Sequence, residues 1–365
     1  MVRPGLRRPG IAAWALAVSV FSSNAWGDDL PDNVLNRRVP NTAIPMAVLG
    51  DSNSHSFQDR VAFPAGTGER GGPLHARTFN WTEIVDKLRG KEIDSGPWTV
   101  WGSSGLLATG REALGLSGGR APKKEDFLYN FANSGASCID LTQGPRRQAP
   151  RLVALMDREP ERWKRGVVVI RMGLNDWSSS LDLQSREPDS PKLAELTSRC
   201  VKQIGATIKL IHDAHPAARI LVAGIANEAD DAAQNNNWIS EDERNNIWRA
   251  LGSFNDGIRK LAESEPNTAY FDDAVWFKQR WGTRGGAPQP AFKTVTIGKG
   301  FVVTNSVGDD PRNSLLADDH GGLVFNALWA QSVVGRLREA FKLPLTPISD
   351  DEIARFVLPL VQPAR

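Results

Sequence analysis

Four short apolar runs, at residues 46–49, 167–170, 220–225 and 269–271, constrain the fold of this chain more than any other feature. They show little polar alternation, as expected of strands covered on both faces of a sheet. The stretches between them carry helical periodicity. Leu193, Leu196, Cys200, Ile204, Ile208 and Ile211 share one helix face, and Ser240-Glu241-Asp242-Glu243 is a capping box. That box opens a second helix with Ile247, Leu251, Phe254, Ile258 and Leu261 on one side, and Leu323, Ala327, Ala330, Val334, Leu337 and Phe341 mark a last one. Strands alternating with such helices predict an α/β fold, with helices on both faces of a mostly parallel sheet. Residues 129–132 offer a fifth strand.

Two stretches interrupt the alternation. Residues 55–125 are rich in Gly, Pro and Trp and read as a long insertion. Residues 282–317 contain two β-prone runs around Gly298-Lys299-Gly300, which predicts a hairpin. Both would rim the crevice at the carboxyl ends of the strands, where open α/β sheets bind ligands. The organisation expected is a leader at 1–27, a single domain at 28–345 carrying both insertions, and a C-terminal tail at 346–365.

The leader expectation rests on composition. Arg3, Arg7 and Arg8 precede an apolar stretch at 11–21 that is too short to span a bilayer, and Ala25-Trp26-Gly27 offers small residues for cleavage. A periplasmic or secreted protein with no membrane span in its mature part is therefore expected. A net charge of +2, with both signs interspersed, gives no reason to expect a nucleic-acid partner. The five histidines and two cysteines form no zinc-type cluster, so no metal or other cofactor is expected. An oxidising compartment would allow Cys138 and Cys200 to pair, but Cys200 also lies on an apolar helix stripe, so a simple buried thiol is the favoured reading and the disulfide the alternative.

The candidate chemistry begins at Gly50-Asp51-Ser52-Asn53-Ser54, where the first apolar run ends in a turn. Such a junction can expose a hydroxyl and a backbone N–H together, although a serine there also suits a helix cap. Asn133-Ser134-Gly135, Gly173-Leu174-Asn175-Asp176 and Asp318-Asp319-His320 each lie near the expected carboxyl end of a strand or in a loop returning to it. Taken singly, these are also ordinary turn, cap and buried-histidine patterns.

In the order Ser52, Gly135, Asn175, His320, the chain resembles the SGNH (GDSL-type) hydrolase superfamily, over most of residues 46–341. The resemblance implies a flavodoxin-like three-layer α/β/α fold with a central, mostly parallel five-stranded sheet. It implies Ser52 as nucleophile and His320 as base. It also implies an oxyanion hole made by the N–H groups of Ser52 and Gly135 and the side-chain amide of Asn175. Acyl transfer needs this set: a base on the hydroxyl, and donors where the carbonyl oxygen gains charge. The chain departs from the family at the acid, because Ala317 stands where the family's aspartate falls. Asp318 and Asp319 are the candidates. Asp318 is favoured because residues two apart in extended backbone share a face, and a backbone carbonyl is a third possibility.

His212 and His215 sit at a helix end and are given no catalytic role, whereas His55 and His75 lie near the insertion and could meet substrate. Trp81, Trp98, Trp101, Trp177, Trp276 and Trp281, among 12 tryptophans, fall in rim segments. Flat aromatic faces there would suit sugar rings, with core packing as the other explanation. The expected function is an exported serine esterase acting on a small-molecule or carbohydrate ester, above all a carbohydrate O-acyl (acetyl) esterase. The alternatives are an O-acyltransferase with the same residues and a non-catalytic carbohydrate-binding relative.

Overall fold

A computed structural model describes residues 39–64, 66–114, 120–284 and 291–361; the expected leader at 1–27 lies outside them. The strands are β1 (Ile44–Gly50), β2 (Ile93–Asp94), β3 (Trp98–Trp101), β4 (Lys124–Phe127), β5 (Val167–Arg171), β6 (Arg219–Ala223) and β7 (Thr268–Phe271). They are followed by β8 (Gly282–Thr283), β9 (Ala291–Phe292), β10 (Thr294–Ile297), β11 (Phe301–Val307) and β12 (Asn313–Leu315). The helices are α1 (Trp81–Arg89), α2 (Gly105–Ala113), α3 (Ala149–Met156), α4 (Pro160–Trp163), α5 (Leu174–Ser178) and α6 (Leu181–Arg186). After them come α7 (Pro191–Ala214), α8 (Glu241–Ser264), α9 (Asp273–Trp281), α10 (Leu323–Phe341) and α11 (Asp350–Val361).

The central sheet runs β2-β1-β5-β6-β7, with every pair parallel. Counted within the sheet this is the order 2-1-3-4-5 of flavodoxin-like folds, whose ligand crevice lies where the winding reverses, between β1 and β5 here. The two-faced burial follows from the pleat: Ala47, Leu49, Val168 and Ile170 pack into a core with α3, α7 and α8. Met46, Val48, Val167 and Val169 point the other way, into a core with α1, α9, α10 and α11. The expected three-layer α/β/α architecture is present.

The structure revises several expectations. Residues 129–132 form no strand; they run beside β1 through one bridge, Val48 to Asn130, while the outer strand is β2. Helix α1 and β2, both within the stretch read as an insertion, belong to the central layers, and α1 packs on α10. The tail folds as α11 against α10 and β10. The hairpin is present as β10–β11, extended by β12. The capping box on α8 is formed, with Ser240 and Glu243 exchanging hydrogen bonds.

The two cysteines settle as one device. Cys200 does face the core from α7, and its sulfur is bonded there to Cys138. The tryptophans follow the core-packing reading and not the sugar-platform one: Trp81, Trp101, Trp177, Trp276 and Trp281 are all buried, and of the rim set only Trp98 is exposed. Trp177 packs on Phe254 and Trp81 on Trp329, which makes them core residues.

Candidate active site

Strand β1 ends in a turn held by Asp51. Asp51 Oδ1 accepts the Asn53 N–H at 2.9 Å, and the Asp51 carbonyl accepts the N–H groups of Ser54 and His55, each at 3.1 Å. No helix follows, so the capping alternative for Ser52 fails. Gln148 clamps the strand end from the side. Its Nε2 donates to the Gly50 carbonyl and its Oε1 accepts the Gly50 N–H, both at 2.8 Å. Arg171, at the end of β5, donates to the Asn53 carbonyl at 3.3 Å and to Asp273 at 2.8 Å. Burial pushes the Asp51 carboxyl up, while the Asn53 N–H, Arg171 and the charge of His320 draw it back.

The glycine turn docks directly on this strand end, since the Asn133 N–H donates to the Gly50 carbonyl at 3.1 Å. Gly135 has φ +73°, a left-handed conformation that a side chain would strain, and a Cβ built there meets nothing within 4 Å. The space on its Cβ side is thus open. Neither its N–H nor that of Ser52 donates to a protein acceptor among the described residues. Asn175 lies in the first turn of α5, where it is no cap. Its Nδ2 donates to the Ala136 carbonyl at 2.7 Å, and the neighbouring Asp176 accepts the Cys138 N–H at 2.8 Å.

His320 stands in a tight turn in which the Leu316 N–H donates to its carbonyl at 2.7 Å and Asp319 adopts φ +63°. This backbone is not extended, so the alternation reasoning does not apply. Even so, Asp318 is the carboxylate beside the imidazole, while Asp319 lines the crevice. His320 Nδ1 lies 2.9 Å from the Asp318 carbonyl oxygen, 3.3 Å from its Oδ1 and 2.9 Å from Arg70 Nη1. A proton on Nδ1 therefore has two acceptors on Asp318, whereas a bare Nδ1 accepts from Arg70. Burial pushes the Asp318 carboxyl up, but the hydrogen bond and charge of His320, together with Arg70, outweigh it and hold the group well below the usual carboxylate range.

Arg70 was invisible to motif reading. It is 2% exposed, with φ +54°, and its guanidinium lies 4.3 Å from the centroid of the Phe63 ring. It binds Asp318 through both its Nη1 and its backbone N–H, and donates through Nη2 to Ser134 Oγ at 3.3 Å. It thereby ties the histidine loop to the glycine turn. No spacing rule links residues 70 and 318.

An open crevice beside these groups is lined by Asp51, Asn53, Leu174, Glu228, Asp319 and Phe325, among others. Burial, reinforced by Asp51 and Asp319 and partly offset by Ser178, pushes the Glu228 carboxyl up to about 7. Burial and the neighbouring carboxylates also raise Asp231, a further lining residue. The other histidines are occupied elsewhere. His75 lies 2.8 Å from the Phe57 carbonyl, His212 3.1 Å from the Ala218 carbonyl and His215 3.0 Å from Asp157. His55 is buried behind the glycine turn and does not line the crevice. Among the described residues, Cys138, Asp176 and Cys200 form the one group spaced to hold a metal, and its two sulfurs are bonded to each other.

No family model matches the sequence, and no curated protein matches it. Among solved structures, the chain is similar to the lipase Lip_vut3 from a goat rumen metagenome, with 16% identity, 82% of this chain and 97% of that one covered, and a TM-score of 0.41. It is also similar to a protein from Parabacteroides merdae assigned as a GDSL-like lipase, with 15% identity, coverage of 83% and 97%, and a TM-score of 0.39. A third similarity is to a mutant of Axe2, an acetylxylan esterase from Geobacillus stearothermophilus, with 13% identity, coverage of 65% and 80%, and a TM-score of 0.31.

Proposed function

We propose that this protein is a serine ester hydrolase of the SGNH type, exported, with Ser52 as nucleophile, His320 as base and Asp318 as its orienting acid. One observation supports the reading: hydrogen bonds link the four sequence blocks at one end of the sheet, the histidine block through Arg70. Asn133 binds Gly50, Asn175 binds Ala136, and Arg70 binds Ser134, Asp318 and His320.

In the proposed reaction Ser52 Oγ gives its proton to His320 Nε2 and attacks the ester carbonyl carbon. The resulting oxyanion accepts from the N–H groups of Ser52 and Gly135 and from Asn175 Nδ2, donors that strengthen as the charge develops. The tetrahedral intermediate collapses by breaking the bond to the alcohol oxygen, which takes the proton from His320. Water, deprotonated by the same imidazole, then releases the acid and restores the serine hydroxyl. Asp318 holds the Nδ1–H tautomer that this requires.

The substrate we infer is an O-acyl, above all O-acetyl, carbohydrate. With the tryptophans buried, the support comes from the crevice. Carboxyl groups such as Asp51, Glu228, Asp231 and Asp319 suit a hydroxyl-rich alcohol and disfavour an anionic one. A fluorophosphonate probe should label the wild-type protein and leave Ser52→Ala unlabelled; labelling of that variant at the wild-type rate would overturn the assignment. An ester panel should then favour acetylated sugars over long-chain acyl esters.

A further inference from the structure

The Gly135 N–H makes no hydrogen bond to a protein acceptor among the described residues, so its direction depends on what holds its neighbours. One of these holds is a buried histidine–aspartate pair. The Ser134 N–H donates to His55 Nδ1 at 3.1 Å, and His55 Nε2 lies 2.7 Å from Asp59 Oδ2. Because Nδ1 accepts, the ring proton is on Nε2, which donates to Asp59. The imidazole is therefore neutral and its tautomer is set by two partners. His55 and Asp59 are 1% and 0% exposed, so water cannot replace either bond.

Asp59 is itself immobilised. Its Oδ1 accepts the N–H groups of Val61 at 2.8 Å, Ala62 at 2.9 Å and Glu125 at 2.9 Å. The His55 ring packs on Phe63 with centroids 4.9 Å apart. Burial lowers the imidazole pKa and nearby Lys124 adds to this, while Asp59 and Asp126 act in the opposite sense. Lys124 also holds the turn from the preceding residues, donating from Nζ to the Ala132 carbonyl at 2.6 Å.

We propose that His55, anchored by Asp59, is a positioning residue that aims the Ser134–Gly135 turn at the developing oxyanion, a role that rests on the ester-hydrolase reading. It acts through the backbone of Ser134 and touches no substrate. A misaimed donor weakens the transition state without changing ground-state binding, so the loss should appear in kcat and spare KM.

Two variants separate this role from simple destabilisation. In His55→Asn the amide oxygen can take the place of Nδ1 and accept from Ser134. In His55→Gln the longer chain keeps a donor for Asp59 but removes that acceptor. With p-nitrophenyl acetate, His55→Gln should lose about 10- to 100-fold in kcat, less than or comparable to losing an oxyanion donor outright, with KM within about twofold. His55→Asn should recover most of that loss. Amide hydrogen exchange at Ser134 should be at least about tenfold faster in His55→Gln than in the wild type, with His55→Asn between them. A kcat for His55→Gln within about twofold of wild type would overturn the proposal, as would unchanged exchange at Ser134 or a joint loss of kcat and KM that Asn does not rescue. If the wild type shows no Ser52-dependent turnover, the ester-hydrolase reading fails instead, and the exchange comparison still decides whether His55 anchors Ser134.

Discussion

Replacing Gln148 by methionine tests the account of the serine turn without relying on any activity. Methionine keeps the length and approximate volume of the side chain, so the cavity term is small. What disappears is the paired contact with Gly50, made by a residue 98 positions away that is 1% exposed. The Gly50 carbonyl keeps the Asn133 N–H as a donor, so its share of the loss is the net worth of one hydrogen bond, about 1 kcal/mol. The Gly50 N–H keeps no partner, and an unsatisfied buried donor costs about 1–3 kcal/mol. Burying a thioether chain in place of an amide returns about 1 kcal/mol. The net expectation is a loss of about 1–3 kcal/mol, read as a lower urea midpoint with unchanged slope in tryptophan fluorescence. An unfolding free energy within about 0.5 kcal/mol of wild type would refute the claim that Gln148 secures the end of β1. A changed slope would instead mean that the native or denatured state had altered in compactness.

Asp318→Asn should lower kcat by at least about 100-fold and Asp319→Asn far less, because the first residue faces the imidazole and the second faces the crevice; equal losses would remove Asp318 from its role. Removing the disulfide by Cys138→Ala with Cys200→Ala opens a loop closed across 62 residues and should cost about 4 kcal/mol, measured by urea unfolding against the oxidised wild type. Burial raises the Glu83 carboxyl from its ordinary 4.5 to about 8 in the folded state, despite the N–H groups of Asn80, Gln58 and Phe57. Its stabilising share is therefore complete below pH 4.5 and fades as pH rises toward 8. Glu83→Gln should flatten the decline in stability across that window, which thermal unfolding at pH 5 to 9 would show.

The parts legible in the sequence share a physical character. Strands β1, β5, β6 and β7 could be read because a strand covered on both faces must be apolar along its length. The α8 capping box and the β10–β11 hairpin could be read because their partners are close in sequence. The remainder was not periodic. Strand β2 is a two-residue piece, too short to carry a pattern, and residues 129–132 carry three apolar side chains yet make only one bridge. The rim tryptophans had the composition of a sugar platform, but a composition does not say which way a ring points.

Sequence alone determined the layered α/β architecture and the order of the Ser52, Gly135, Asn175 and His320 blocks, because both are written in local patterns. Only the tertiary structure decided how those blocks are held together. Arg70 meets His320 across 250 residues, His55 meets Ser134 across 79 and Gln148 meets Gly50 across 98. A single polar side chain that completes a distant backbone group leaves no repeat and no spacing to read. Its partner exists only once the sheet has closed the intervening chain and excluded water from the junction. The same holds for the acid. Asp318 and Asp319 are chemically equal in the sequence, and the left-handed turn at Asp319 is what sends one to the imidazole and the other to the crevice.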